Sequence, residues 1–368
     1  MSEPTSAPTG ATPEGLPAQA KGAGVPSPDE HQRVETLAEE AARSDSAFVR
    51  IMNSSVGRNL GLVIALLILV IVGVVTAGDR FASTDNVLTI LRLASVIGVV
   101  SIGMTFVIIG GGIDLSVGAI VALSSVWATT LATQTMAEDV HWIVMVLVAL
   151  AVGIGCGLVN GTLIAYGRMA PFIVTLAMLA AARGLAEIIS DRKTQIVDVD
   201  EFVAFFNGSL LGIPRLVWIF ALVSAAGWVL LNRTTFGRRT IAVGGNAVAA
   251  RLAGISVKRH TVMLYVLLGL ACGIAAAMLT ARTTTGSSTH GLLYELDAIA
   301  AVVIGGTLLT GGRGTIVGTV VGVLIFTTLT NVFTLNNLDT STQNVAKGVI
   351  IVLAVVLQQR VAARNGST

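Results

Sequence analysis

Charge is scarce in this chain. Of its 368 residues only 12% are Asp, Glu, Lys or Arg, while 54% are hydrophobic; a soluble domain carries about 25% charged residues. That deficit excludes an ordinary water-soluble domain and makes the chain a polytopic membrane protein. Cysteine is nearly absent as well. Cys156 and Cys272 both lie within apolar runs, which excludes a disulfide framework and reads as inert packing. Proline is almost confined to one end: six of the eight (Pro4, Pro8, Pro13, Pro17, Pro26, Pro28) fall in the first 28 residues. No G-x-x-x-x-G-K-[ST] phosphate loop occurs, so any ATP hydrolysis belongs to another protein. There is no His/Cys cluster at zinc spacing and no G-x-S-x-G, and His31, His141, His260 and His290 are scattered over tail and loops. Neither a catalytic constellation nor a metal site nor a bound cofactor is expected, and nothing points to nucleic acid.

What is present divides into a tail and a membrane domain. Residues 1–50 read as a disordered cytoplasmic tail, Pro-rich and then acidic, because such a composition buries too little apolar surface to offset its ordering entropy. Its acidic part (Asp29, Glu30, Glu35, Glu39, Glu40) has a surface helix as its alternative to a solvated tail. A basic start followed at once by an apolar run is missing, so this is no signal peptide. Residues 51–360 form the membrane domain, with a polar loop at 232–261 inside it, and 361–368 a short C-terminal tail.

Ten apolar segments predict an all-α bundle of about ten spans: 60–77, 87–109, 115–133, 142–165, 171–190, 216–231, 262–281, 292–309, 315–335 and 344–358. Most approach the ~20 residues needed to cross ~30 Å of hydrocarbon. With the N-terminus inside, Arg50, Arg58, Arg168, Arg233, Arg238, Arg239, Arg251, Lys258, Arg259, Arg313, Arg360 and Arg364 fall on the inner side. The outer side receives only Arg80, Arg192, Lys193, Arg215 and Arg282. That asymmetry has the sign of the positive-inside rule and puts both termini in the cytoplasm. GGIDLSVG at 111–118 and GGRGTIVG at 311–318 share four of eight positions at a displacement of 200, which points to a parallel repeat relating spans two to four with eight to ten.

Four carboxylate or amide side chains sit where an apolar run should not hold them. Asp114 follows the glycines of GGGID and can N-cap the next helix, a structural role more common than ligand contact. Asn160 lies within a span, where such groups usually hydrogen-bond to a neighbouring helix. Glu295 and Asp297 enter the eighth segment at its N-terminal end, where the helix dipole favours them; this competes evenly with a place at the mouth of a translocation path. Arg183 and Glu187, four apart, are expected to pair on one helix face.

The loop NRTTFGRRTIAVGGNAVAARLAGISVKRH, 232–260, holds six cations and no acid. Asn246 can cap a short helix over 247–253, with Gly254 as its left-handed terminator. The plain reading is a loop that only sets topology; the sharper one is a docking helix for a cytoplasmic partner. In the second reading Ala249 and Ala250 allow close approach, Leu252 or Ile255 is the apolar anchor, and Arg251 is on the polar side.

GGGIDLSVG, LVNGTLIAYGRMAPFIVTL, TTFGRRTIAVGGNAVAARLAGISV and YELDAIAAVVIGGTLLTGGRGTIVGTVVG, in this order over about 60–358, together resemble the ribose/monosaccharide-type permease subunit of bacterial ATP-binding-cassette importers. The resemblance implies a transport subunit that is not itself an enzyme. It implies a second copy or sibling permease, a cytoplasmic ATPase using ATP-Mg, and an extracytoplasmic sugar-binding protein. The ATPase would dock on the loop that includes Arg238, Gly245, Asn246, Ala249, Ala250, Arg251, Leu252, Gly254 and Ile255. Asp114, Asn160, Glu295 and Asp297 remain candidates for the path or for structure. The family often has an acid just after the Asn; here Ala247 and Val248 follow it. The alternatives are a permease for branched-chain amino acids or nucleosides, or an ion-coupled secondary transporter.

Overall fold

The computed structural model describes residues 55–365. The tail, including its acidic stretch, lies outside the described residues. Helices occupy all ten predicted segments: α1 (Ser55–Ala77), α2 (Asp79–Ala82), α3 (Thr84–Ile109), α4 (Val117–Ala128), α5 (Leu131–Asp139), α6 (Ile143–Ala165), α7 (Pro171–Ile189), α8 (Asp200–Asn207), α9 (Arg215–Arg233), α10 (Thr235–Gly245), α11 (Ala247–Leu252), α12 (Val257–Thr283), α13 (Tyr294–Ile304), α14 (Ile316–Leu335) and α15 (Thr340–Asn365). Four two-residue strands pair as β1 (Gln195–Ile196) with β4 (Thr285–Gly286) and β2 (Ser209–Leu210) with β3 (Ile213–Pro214), both antiparallel. Among the described residues seven helices are long and apolar enough to cross a membrane, or eight if α4 and α5 make one bent span. The chain is a polytopic helical membrane protein.

Two segments differ from unbroken spans. The third bends by 57° between α4 and α5. There the Thr129 hydroxyl turns back to the Ser125 carbonyl (3.0 Å), and Thr130 caps a new helix by accepting from the Thr133 N–H (3.4 Å). The eighth is only α13, bounded by Leu293 at φ 66° and by Gly306 at φ 86°. Its 11 residues reach about 17 Å, too short to cross.

A displacement of 200 carries α6, 143–165, onto the last 23 residues of α15, 340–365, and the start of α4 to within one residue of the start of α14, whereas the 26-residue α3 has only the 11-residue α13 as its counterpart. Gly111 and Gly311 have the same left-handed φ of 85°.

The centre of the bundle is α3, α12 and α14, the spans with the largest buried share. Small residues set how closely the helices approach. On α6, Met145, Ala149, Gly153, Gly157 and Gly161 recur every four residues, and all five are buried. A Cβ on Gly153 would overlap the Gly269 carbonyl of α12, and one on Gly161 would stand 2.7 Å from the Val262 Cα. Backbone therefore meets backbone along this seam, which replaces a hydrophobic drive that lipid does not supply. Polar pairs join α3 to α14: Asn86 and Asn331 exchange amide hydrogen bonds (3.1 and 2.8 Å), and the hydroxyls of Thr105 and Thr319 meet at 2.7 Å.

The connection between α7 and α9, which shows no apolar run in the sequence, contains α8. Its Phe202, Phe205 and Phe206 gather around Trp142, the closest ring pair being Trp142–Phe205 at 4.6 Å. Their i, i+3, i+4 spacing is the helical signal, too short to stand out among flanking polar residues.

The glycine seam predicts a sharp size limit. Gly153→Val should destabilise the protein by about 1–3 kcal/mol through overpacking, while Gly155→Val, where a Cβ meets nothing within 4 Å, should cost far less. Thermal unfolding of both variants in the same detergent checks this.

Candidate functional site

The helix end that sequence reading placed in the cytoplasm is built by two helices in series. α10 was not foreseen, because its buried positions Gly237, Thr240 and Val243 are interleaved with arginines. Thr234 caps it, accepting from the Gly237 N–H (3.4 Å). The Thr240 hydroxyl meets His260 Nε2 at 2.9 Å and so ties α10 to the first turn of α12.

α11 follows with the expected local chemistry. Asn246 Oδ1 accepts from the N–H groups of Val248 (3.0 Å) and Ala249 (2.9 Å). Gly254 has φ 82°, and the Ile255 N–H returns to the Ala250 carbonyl (3.0 Å). These bonds satisfy donors and acceptors that a two-turn helix would otherwise leave open.

Its faces are distributed differently from expectation. Ala250 turns inward, 4% exposed, with Ile255 half-buried beside it. Leu252, at 84%, and Val248, at 68%, stand out together with Ala249 and Arg251. A helix presents residues four apart on one face, so Val248 pairs with Leu252 and Ala250 is left to the bundle. Ala250 therefore does not contribute to an outward-facing surface. Val248 does, and sequence reading passed over it. Arg238 is exposed on α10, and Gly245 ends that helix with open space around it.

Behind α11 two glycine turns meet the end of α10. A Cβ on Gly244 would overlap the Ile109 carbonyl, at the end of α3, and come within 2.8 Å of the Gly312 N–H. That N–H donates to the same Ile109 carbonyl at 2.8 Å. A Cβ on Gly311 would lie 2.9 Å from the Gly244 carbonyl and 3.0 Å from the Gly111 Cα. The two repeat-related turns thus touch each other and the residue two before the Asn246 cap. Sequence reading marked Gly245 and missed Gly244; the Gly-Gly pair was the available signal.

Asp114 and Asn160 come together next to this contact. Asp114, 1% exposed, accepts from the Ser116 N–H (2.7 Å) and hydroxyl (2.5 Å), while Asn160 donates to Asp114 Oδ2 (3.2 Å) and Ser116 Oγ (3.0 Å). Asp114 does not cap a helix starting at 115. It closes a turn two residues long, and α4 begins at Val117 with no side-chain cap from Ser116. Burial makes such a carboxylate costly unless it is bonded in this way.

Glu295 and Asp297 have other neighbours. Asp297 pairs with Lys347 of α15 at 3.3 Å, a cation that sequence reading did not consider. Glu295 is half-buried beneath the start of α4, where its Oε2 limits the space at Gly118. Arg183 does not form the expected pair with Glu187, which instead meets Arg192 at 3.3 Å. Arg183 crosses to the connection before α13 and donates to the carbonyls of Ser288 and His290. The side chain of His290 approaches the Ser125 hydroxyl at 2.8 Å. Burial, with Arg282 and Arg183 nearby, pushes the imidazole down to about 4, so it is neutral at neutral pH. This arrangement fastens the ends of α4, α7 and α12 together. It was not legible because its partners are far apart in sequence.

No candidate metal cluster occurs among the described residues. At this end a capped, exposed helix follows directly on a backbone contact shared by two turns.

Comparison with known proteins gives the arrangement its context. Residues 86–355 match the family described as "Branched-chain amino acid transport system / permease component". The chain is 44% identical over 316 residues to the ribose import permease protein RbsC of Bacillus subtilis (strain 168), covering 85% of this chain and 97% of that one. It is 39% identical to the protein of the same name from Escherichia coli (strain K12), covering 81% and 92%. It is 36% identical to the L-arabinose transport system permease protein AraH of the latter organism, covering 89% and 96%. No solved structure matches. With most of its length matched and near-complete coverage of these relatives, the chain belongs to the family of membrane-spanning permease components of transport systems.

Proposed function

We propose that the chain is the membrane-spanning subunit of an ATP-driven importer of monosaccharides, with ribose- or arabinose-like sugars as the first substrates to test. Support for the substrate class comes from relatives named for ribose and arabinose import that match over nearly their whole length. Support for the mode of action comes from one observation, the exposed, doubly terminated α11 seated on the glycine contact. A separate cytoplasmic ATPase, using ATP-Mg, covers Val248 and Leu252. Its movement passes through Gly244 to the end of α3 and to the turn before α14, and alternating access follows as those spans shift. A second copy of the chain or a sibling permease completes the path, and an extracytoplasmic sugar-binding protein delivers substrate. Contacts with sugar along the path are weak, because tight binding would obstruct release. Asp114 and Asn160 hold the first turn in shape, and Asp297 with Lys347 holds α13 to α15.

The docking face can be tested apart from folding. Leu252→Glu removes an exposed apolar anchor worth about 1.5–3 kcal/mol when covered, and Gly254→Val strains a left-handed position by about 1–2 kcal/mol. Each should weaken ATPase co-purification about tenfold or more and reduce sugar uptake at matched expression. Wild-type recruitment and uptake in both would leave the loop a topological device only. Ala250→Glu is unsuitable here, since a buried carboxylate would test folding.

Dependence on the partner is the second test. The purified chain in liposomes should neither hydrolyse ATP nor accumulate sugar until the ATPase and binding protein are added. Accumulation driven by a proton or sodium gradient alone would replace this reading with ion-coupled transport.

Sidedness is the third. α11 and both glycine turns share one end of the bundle, so cation asymmetry assigns all of them to the cytoplasm. A membrane-impermeant thiol reagent on intact cells should label Asp200→Cys and leave Asn246→Cys unlabelled; the reverse pattern contradicts the orientation.

A further inference from the structure

A groove between α3, α9 and α12 takes no part in the transport role above. It has a volume of about 310 Å³, and every lining residue is apolar, including Ile102, Phe106, Ala226, Leu230, Leu270 and Ile274. All three helices are candidate membrane spans. On α9 the lining runs from Val223 to Leu230, about 11 Å along the axis. On α3 it reaches Phe106, one turn from the helix end at the docking side, and on α12 it stops at Ile274. The groove therefore begins near one membrane face and ends at mid-depth, the extent of a single leaflet. Ala226 is exposed, so the groove opens sideways.

Its docking-side end is basic. Arg233 follows Leu230 by three residues, and its guanidinium lies 5.5 Å from the Trp228 ring, a pairing suited to the headgroup level. Phe236 of α10 closes the end against Phe106, ring centroids 6.1 Å apart. Arg239, three residues on from Phe236, flanks the same face, and both arginines are exposed. No acidic residue occurs from 232 to 260.

We propose that this groove is a binding site for one anionic phospholipid of the surrounding bilayer, an acyl chain lying between α3, α9 and α12 and the phosphate headgroup on Arg233 and Arg239. Apolar surface at leaflet depth recognises the chain, and charge complementarity at its end selects an anionic over a zwitterionic headgroup. The inference needs only the membrane setting; it does not depend on sugar or ATPase, so its failure would leave the transport reading intact.

The test uses the full chain equilibrated in vesicles of equal phosphatidylglycerol and phosphatidylcholine, extracted in mild detergent, with retained phospholipid quantified by mass spectrometry. Wild type should retain about one phosphatidylglycerol per chain, favoured about tenfold over phosphatidylcholine. Ala226→Leu should reduce retention and Ala226→Phe abolish it for both lipids, while each variant still elutes as a single sharp species. R233Q/R239Q should keep a lipid but lose the headgroup preference. Undiminished phosphatidylglycerol in Ala226→Phe, or none in wild type, overturns the proposal. So does a disulfide between two Ala226→Cys chains, which would put a second copy over the groove.

Discussion

The structure depends on backbone meeting backbone. At Gly244 there is no space for a Cβ beside the Ile109 carbonyl, and at Gly153 none beside the Gly269 carbonyl. A membrane interior offers little hydrophobic drive for helix association, so stability there comes from close packing and polar bonds between helices. Glycine permits that approach, and the chain places it where helices or turns must touch. The same device serves two ends: along α6 and α12 it fixes a seam, and behind α11 it joins the end of α10 to two turns that lie two hundred residues apart in the chain.

This second contact gives the two halves of the repeat a shared point. The turn after α3 and the turn before α14 have equivalent glycines in the same left-handed conformation, and they meet at Gly244, two residues before the cap of α11. A load on α11 is therefore applied to both turns at once. The buried Asp114–Ser116–Asn160 bonds keep the first turn from yielding locally, since breaking them would strand a carboxylate away from water. Elsewhere, Arg183 and the Asp297–Lys347 pair connect different helices through the loop before α13 and through α13 itself.

Local features were the legible ones. The ten apolar segments, the Asn246 cap and the Gly254 terminator each depend on a few neighbouring residues, and sequence reading located them. Direction was harder. Ala250 and Leu252 differ by two positions, and a two-turn helix has too few residues for its apolar face to declare itself. α10 was hidden for a related reason, its small buried side chains being interleaved with cations that suggest a loop. Long-range partners were not legible at all. Lys347 lies fifty residues from Asp297, and Arg183 prefers the Ser288 and His290 carbonyls to the neighbouring Glu187, because the fold brings those acceptors to an otherwise costly charge.

If load passes from α11 through Gly244 to the two glycine turns, these parts move as one body. Spin labels at Ala247, outside the Val248–Leu252 face, and at Arg313, both exposed, in the complete importer reconstituted in lipid report this through their distance distribution with and without bound ATP. The expected result is an unchanged Ala247–Arg313 distance, while a second pair, Ala247 with Leu211 at the far end, changes on ATP binding. An Ala247–Arg313 distance that shifts or broadens with ATP would mean that α11 slides over the turns, and the mechanical connection through Gly244 would be wrong.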